Sequence, residues 1–356
     1  MKTLPTRIFS GEWDGGHVQG IAVDFSKGFI YYSFTTVLVK SDLDGHILGW
    51  CGGLTGHLGC IDFNAGNGKV YGSLEFKRDA IGVGIARHLG LDPADLPPDA
   101  FYCAVFDVDR INRPGMDAWA DGVMLAAHLP EVTADYVGTD PDGRPHVYGC
   151  SGIDGTGFGP GFADRAPNRL HIAYGIYSEP DRDGNDCQVI LEFDPDEIDR
   201  AAAPLSLDIL RRNPVTGSTG GARSLGRYFL YTGNTEWGVQ NLKYDPYLDR
   251  WLVCVYRGHK PRFENPHLFM IDAAMPPVRG RIPGRNEEGM LLTLAQPAPS
   301  DSPTGFDFYG GQEGVVPVGD GRYYFSVSER PRGYTSTVML RRWNPTDPGH
   351  PFVPCE

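Results

Sequence analysis

The sequence predicts an all-β protein: a five-bladed β-propeller closed by an N-terminal strand that joins the last blade. Three observations lead there. Period-2 apolar runs bounded by Gly, Pro, Asn or Asp recur along all 356 residues. Glycine and proline are abundant, at 47 and 29 residues, and helix-forming runs are scarce. Near the start, "TRIFSGEWDGGH" repeats the pattern of "HILGWCGGLTGH", the fourth strand and following loop of the first unit. Residues 6–10 therefore read as a strand that completes the last unit. Radial repetition with such a strand leaves no long exposed edge. A β-sandwich, or two small all-β domains, is the competing architecture.

The elements follow in order within a single domain, 1–356. The first unit, about 15–50, is a meander of "HVQGIAVD", "GFIYYSFTT", "VLVKSDLDG" and "HILGWCG". The second, about 56–130, runs "HLGCIDFN", "KVYGSLEFK", "FYCAVFDVDRI" and "GVMLAAHLP", with a short helix and loop expected in "RDAIGVGIARHLGLDPADLPPDA". The third, about 148–211, reads "GCSGIDG", "RLHIAYGIYSE", "CQVILEFDPDEID" and "PLSLDILRR". The fourth, about 237–296, reads "GVQNLKYDP", "DRWLVCVYRG", "PHLFMIDA" and "GMLLTLAQ". The fifth, about 311–345, has only "GQEGVVPVGD", "RYYFSVSE" and "TSTVMLRRWNP". Its missing fourth strand is the one the N-terminus supplies. Units two to four are longer than a plain four-stranded blade, so they carry long loops, where sites are expected.

Composition excludes several functions. The net charge is −13, from 45 acidic and 32 basic residues, which disfavours nucleic acid and anionic membranes as partners. A hydrophobic fraction of 41% supports a real core, and no run is long enough to span a bilayer. The first residues show no apolar signal segment, so a cytoplasmic location is expected. Seven scattered cysteines without C-x-x-C read as small apolar strand residues rather than a zinc site.

In a propeller the innermost strand of each blade lines the central channel. Aligning those strands puts Gln19, Gly59, Ser151, Gln240 and Glu313 at one level, with His17 and His57 two residues before Gln19 and Gly59. His17, His57 and Gln240 form the expected metal set, suited to a divalent cation (Ca, Mn or Zn) or a water cluster. Bonding of each histidine to the next blade is the structural alternative. Among carboxylates expected on the open face, Glu313 is the leading acid/base candidate, with Glu75 and Glu236 as partners; paired carboxylates are what glycosidic cleavage uses. His17 and His57 join them as candidate catalytic groups. Trp13, Trp237 and Tyr334 could stack on sugar rings, with Gln19 and Gln240 as polar contacts. Arg257, His259 and Arg330 could fix an anionic group. No phosphate-binding loop, dinucleotide fingerprint, nucleophile elbow or H-E-x-x-H motif is present, so no nucleotide cofactor is expected.

With these repeats the chain resembles the β-propeller superfamily, and its blade count is similar to that of the five-bladed glycoside hydrolases acting on arabinans, xylans and fructans. Those families place an aspartate at the start of the first inner strand, where "GGHVQG" has His17 and Gln19. The His/Gln ring is more similar to propeller polysaccharide lyases. That resemblance implies a metal held by His and Gln that neutralises a uronate carboxylate while a base removes the neighbouring proton. The expected function is a carbohydrate-active enzyme that cleaves a glycosidic bond, as a hydrolase or a uronate lyase, at the channel mouth. The alternative is a non-catalytic propeller that binds a small polar ligand or a protein partner.

Overall fold

A computed structural model describes residues 4–212, 221–296, 300, 302–330 and 332–355. The architecture is a five-bladed β-propeller. The first blade orders Val18–Asp24, Phe29–Phe34, Val37–Asp42 and Ile47–Gly52, with Met116–Asp117 added in parallel at its outer edge. The second orders His57–Asn64, Lys69–Phe76, Ala100–Phe106 and Met124–His128. The third begins with Cys150–Gly159, Arg169–Ile176, Cys187–Phe193 and Gly226–Tyr231. The fourth contains Thr235–Asp245, Arg250–Arg257 and Leu268–Asp272. The fifth runs Val315–Pro317, Arg322–Glu329 and Tyr334–Trp343, and Arg7–Trp13 pairs antiparallel with the last of these, Ile8 opposite Val338.

The five inner strands are packed side by side, each against the next, and the fifth against the first. Both faces of Val18–Asp24 are buried. That is why the inner strands read as nearly continuous rather than cleanly alternating runs. Asn241 sits at the centre of this ring. Its Nδ2 donates to Gln19 O (3.0 Å) and Gln312 O (2.9 Å), and Cys60 Sγ lies 3.1 Å from its Oδ1. One buried amide thus ties strands of four blades together and satisfies carbonyls that have no ladder partner there.

Two segments depart from expectation. "PLSLDILRR" was expected as the outer strand of the third blade, but Leu207–Arg212 is a helix, and Gly226–Tyr231 is the outer strand. Leu205 and Leu210 pack into the core under the first and second blades. A period-2 and a helical reading fit so short an apolar run equally well, and tertiary packing decides between them. "GMLLTLAQ" was expected to finish the fourth blade. Its two halves divide: residues 293–295 do run antiparallel beside Leu268–Asp272, with Leu294 opposite Ile271, but Glu288–Leu292 crosses to the third blade, pairs parallel with Gly226–Tyr231, and carries Val278–Arg281 on its far side. The expected inserted helix is present as Ala80–His88, with the Asp79 carboxylate accepting from Ile81 N and Gly82 N as its N-cap. No helix among the described residues is long and apolar enough to cross a membrane.

Candidate functional site

Four of the five inner strands break register near one end. The shifts fall between Val18 and Gly20, Leu58 and Ile61, Cys150 and Gly152, Ile153 and Thr156, and across Glu236 to Asn241. A bulge re-aims the side chains around it. Here Gln19, Ser151, Asp154, Trp237 and Gln240 lie at the bulges and line one cavity of about 370 Å³ at the channel mouth. His17, His57, Glu75, Lys77 and Glu236 complete its polar wall.

Glu75 and Lys77 lie at the end of the second strand of blade two, one residue apart on either side of Phe76. Both are buried. Lys77 Nζ donates to Glu75 Oε1 and to Ser151 O, each at 2.6 Å, and lies 3.4 Å from Asp79. Glu75 Oε2 accepts from Ile153 N at 2.9 Å, across the boundary with blade three. This reach requires Gly152: its φ is +147°, and a Cβ there would sit 2.0 Å from Glu75 Oε2. Burial works against the charge on Glu75, but Lys77 and then His57 outweigh it and hold its carboxyl below the usual range. Burial likewise opposes the Lys77 ammonium, and Glu75 and Asp79 hold it up.

His57 Nδ1 lies 3.4 Å from Glu75 Oε1 and 3.9 Å from Asp154 Oδ1. Neither approach has hydrogen-bond geometry, so His57 Nδ1 and Asp154 Oδ1 are buried polar atoms without a bonding partner. Orphaned buried polar atoms are uncommon and call for an explanation. Asp154 Oδ2 accepts from Gln240 Nε2 at 3.3 Å, which leaves Oδ1 for a proton or a ligand. Burial pushes the Asp154 carboxyl up to about 7; His57 opposes this, and Glu75 adds to it. His57 is raised, since Glu75 and Asp154 overcome the effect of burial. His17 goes the other way. Burial, then His57 and Arg330, hold it down to about 4, so its imidazole is neutral at neutral pH.

Trp237 forms part of the rim. It is 38% exposed and has φ +61°, uncommon for a bulky residue, followed by Gly238 at +67°. Left-handed backbone in a bulge beside a cavity is the type of strain that marks functional sites. Glu236, next to it, pairs with His259 at 3.2 Å.

The expected residues divide clearly. His17, Gln19, His57, Glu75, Glu236, Trp237 and Gln240 share the cavity. Tyr334 lies on an adjoining one. Glu313 is not among the lining residues: its carboxylate accepts from the amide (2.6 Å) and hydroxyl of Ser328 within its own blade. Trp13 packs against Phe34 and Trp50 and donates to Ser10 O. Arg257 pairs with Asp307, and Arg330 stacks over the Tyr334 ring at 4.1 Å. Sequence reasoning missed Asp154 and Lys77. Each had a signal: Asp154 is the one acidic residue of "GCSGIDG", and Lys77 directly follows the strand that carries Glu75.

Of the expected donor set, His17 and Gln240 fit a metal as they stand, whereas His57, raised by Glu75 and Asp154, must first lose a proton to ligate. His17 is in the neutral form that ligates metals, Nδ1 of His57 faces carboxylates so that Nε2 is left, and the Gln240 amide nitrogen is engaged so that its oxygen is left. A cluster of coordinating groups lies elsewhere, at Asp42, Asp44 and His46. It is explained by a turn: Asp42 accepts from Asp44 N, His46 N and the His46 ring.

No protein-family model matches the chain, and no curated protein matches it. Solved structures similar to it include a GH43 β-1,3-galactosidase with galactodeoxynojirimycin, at 14% identity over 96% of this chain and 94% of that one, TM-score 0.43. Another is the gluconolactonase of Pseudomonas aeruginosa, at 9% identity over 96% and 84%, TM-score 0.38. A third is the PQQ-bound aldose sugar dehydrogenase of Streptomyces coelicolor, at 11% identity over 95% and 100%, TM-score 0.35. Likeness at this level says nothing about which residues act.

Proposed function

We propose that this chain hydrolyses a glycosidic bond of a neutral sugar in the cavity at the channel mouth. The observation that carries the reading is Asp154: a partly buried carboxyl on the cavity wall, raised to about 7, with one oxygen unpartnered. A protonated carboxylic acid at working pH is what a general acid needs. Asp154 gives its proton to the leaving oxygen as the bond to the anomeric carbon breaks. Glu236, on the next blade and on the same cavity, takes a proton from the water that adds to that carbon. Solvent then returns both groups to their starting states. Gln240 Nε2 donates to Asp154 Oδ2 and keeps the carboxyl in place, while the charge of nearby His57 limits how far it is raised.

A neutral sugar is preferred because the lysine on the cavity wall is already paired. Among the described residues Lys77 is the one Lys or Arg lining the cavity, and its ammonium is bound by Glu75 and Ser151 O. Nearby, Lys260 is bound by Asp186 and Arg182 by Asp140. This favours hydrolysis over elimination from a uronate, which needs a positive group at the sugar carboxylate. His17, His57 and Gln240 are the residues that would hold a divalent cation, where it would polarise a sugar hydroxyl. Trp237 offers a ring face to the sugar. The expected location stays cytoplasmic, with a small saccharide as the partner.

The test is a panel of neutral glycosides of both anomers, followed by reducing-end release. Wild type should turn over at least one, and Asp154→Asn and Glu236→Gln should each lose about 10²-fold or more in kcat. Unchanged rates in both variants would remove the assignment.

A further inference from the structure

The polar cavity does not end at His57. A second cavity of about 340 Å³ opens from it, and the two share His17, Gln19, His57 and Ile81. Its character is different. Ala80, Ile81, Gly84 and Ile85, along the inserted helix, form one wall, and Tyr334 with Gly15 and Gly16 forms another. The helix is fixed at both ends. Asp79 caps its start, and the His88 ring, at its last turn, bonds to Asp14 O at 2.7 Å on the first blade. The wall is therefore part of the fold and links blade two to the loop that precedes the first inner strand.

The two lobes meet at His17, Gln19, His57 and Ile81, and Asp154 lies 3.9 Å from His57 on the polar side. One side offers Asp154, Glu236, Gln240 and Ser151; the other offers mainly carbon. Resting on the hydrolytic reading above, we infer that the substrate is a glycoside with an apolar, ring-sized leaving group. The sugar occupies the polar lobe and the aglycone lies against Ile81, Ile85 and Tyr334. An apolar cavity of about 150 Å³ already takes up benzene, so 340 Å³ has room for a fused-ring group. A second sugar would leave its hydroxyls facing Ile81 and Ile85, at a desolvation cost that an aryl or terpenoid group does not incur.

Gly84 gives a clean test. A Cβ added there meets nothing within 4 Å, and no left-handed φ restricts the position. Phe in a helix is also better tolerated than Gly. Gly84→Phe should therefore fold and occupy the lobe, with Gly84→Ala as a control too small to fill it. Two readouts apply: calorimetric binding of 2-naphthol, and kcat/KM on matched aryl and methyl glycosides. Wild type and Gly84→Ala should bind naphthol and favour the aryl glycoside at least tenfold. Gly84→Phe should lose naphthol binding and the aryl preference, through KM. Glycoside cleavage with no aryl preference and no effect of Gly84→Phe would overturn this inference and leave the hydrolytic reading intact. Naphthol binding that Gly84→Phe removes, without cleavage of any glycoside, would support the apolar lobe and overturn the hydrolytic reading.

Discussion

Asp154 Oδ1 and His57 Nδ1 face each other at 3.9 Å across the boundary between blades two and three, and neither atom has a hydrogen-bond partner. Two polar atoms are thus kept out of water and unsatisfied beside a cavity, an arrangement that costs stability.

Asp154→Asn should therefore stabilise the protein at alkaline pH. The folded Asp154 holds its proton up to about 7, whereas in the unfolded chain it releases it near 3.8. Between those values the folded state binds more protons, so this group takes stability away as pH rises through the window. The variant lacks that loss. Its Tm should exceed that of wild type at pH 8 and match it more closely at pH 4, as thermal melts across pH will show. A variant less stable than wild type at pH 8 would contradict the assignment.

His17 has the opposite sign. Its folded value of about 4 lies below the unfolded 6.5, so stability is full above 6.5 and is lost as pH falls toward 4. His17→Gln should remove a pH dependence of up to about 3 kcal/mol across that interval. Denaturant titrations at pH 7 and pH 4.5 measure it: the gap between the two should narrow in the variant.

Lys77→Met should be strongly destabilising, by about 3–5 kcal/mol, because it leaves Glu75 charged and buried beside an apolar side chain. Adding Glu75→Gln should recover part of the loss. A double-mutant cycle by chemical denaturation reads the coupling; additive effects would mean that the pair is not what holds Glu75.

Asn241→Leu should cost about 2–5 kcal/mol, since it strands the carbonyls of Gln19 and Gln312 in the middle of the ring. The apolar replacement is similar in size, so the loss reports on hydrogen bonding rather than on a cavity. Equilibrium unfolding of the purified variant is sufficient.

Much of this arrangement was legible in the sequence because inner strands leave a strong local mark. "HVQGIAVD" and "HLGCIDFN" announce both their strand character and the residues at their mouths, and the cavity does contain His17, Gln19 and His57. What stayed hidden depends on contacts between blades. Asp154 sits in a glycine-rich strand, and nothing local says that Glu75 and His57 will approach it from the neighbouring blade. Glu313 looked favourable on the same local grounds, yet Ser328 of its own blade engages it. The partner of Glu288–Leu292 was illegible for the same reason: a short apolar run does not specify which blade edge it will join.

That crossing has a consequence for how the molecule is made. On the ribosome, the third blade's edge at Tyr228–Leu230 stays uncovered until Met290–Leu292 has been synthesised, after the three strands of the fourth. Arg7–Trp13, made first, must wait still longer for Tyr334–Trp343. Assembly cannot proceed one blade at a time: one edge waits for Met290–Leu292 and the other for Tyr334–Trp343.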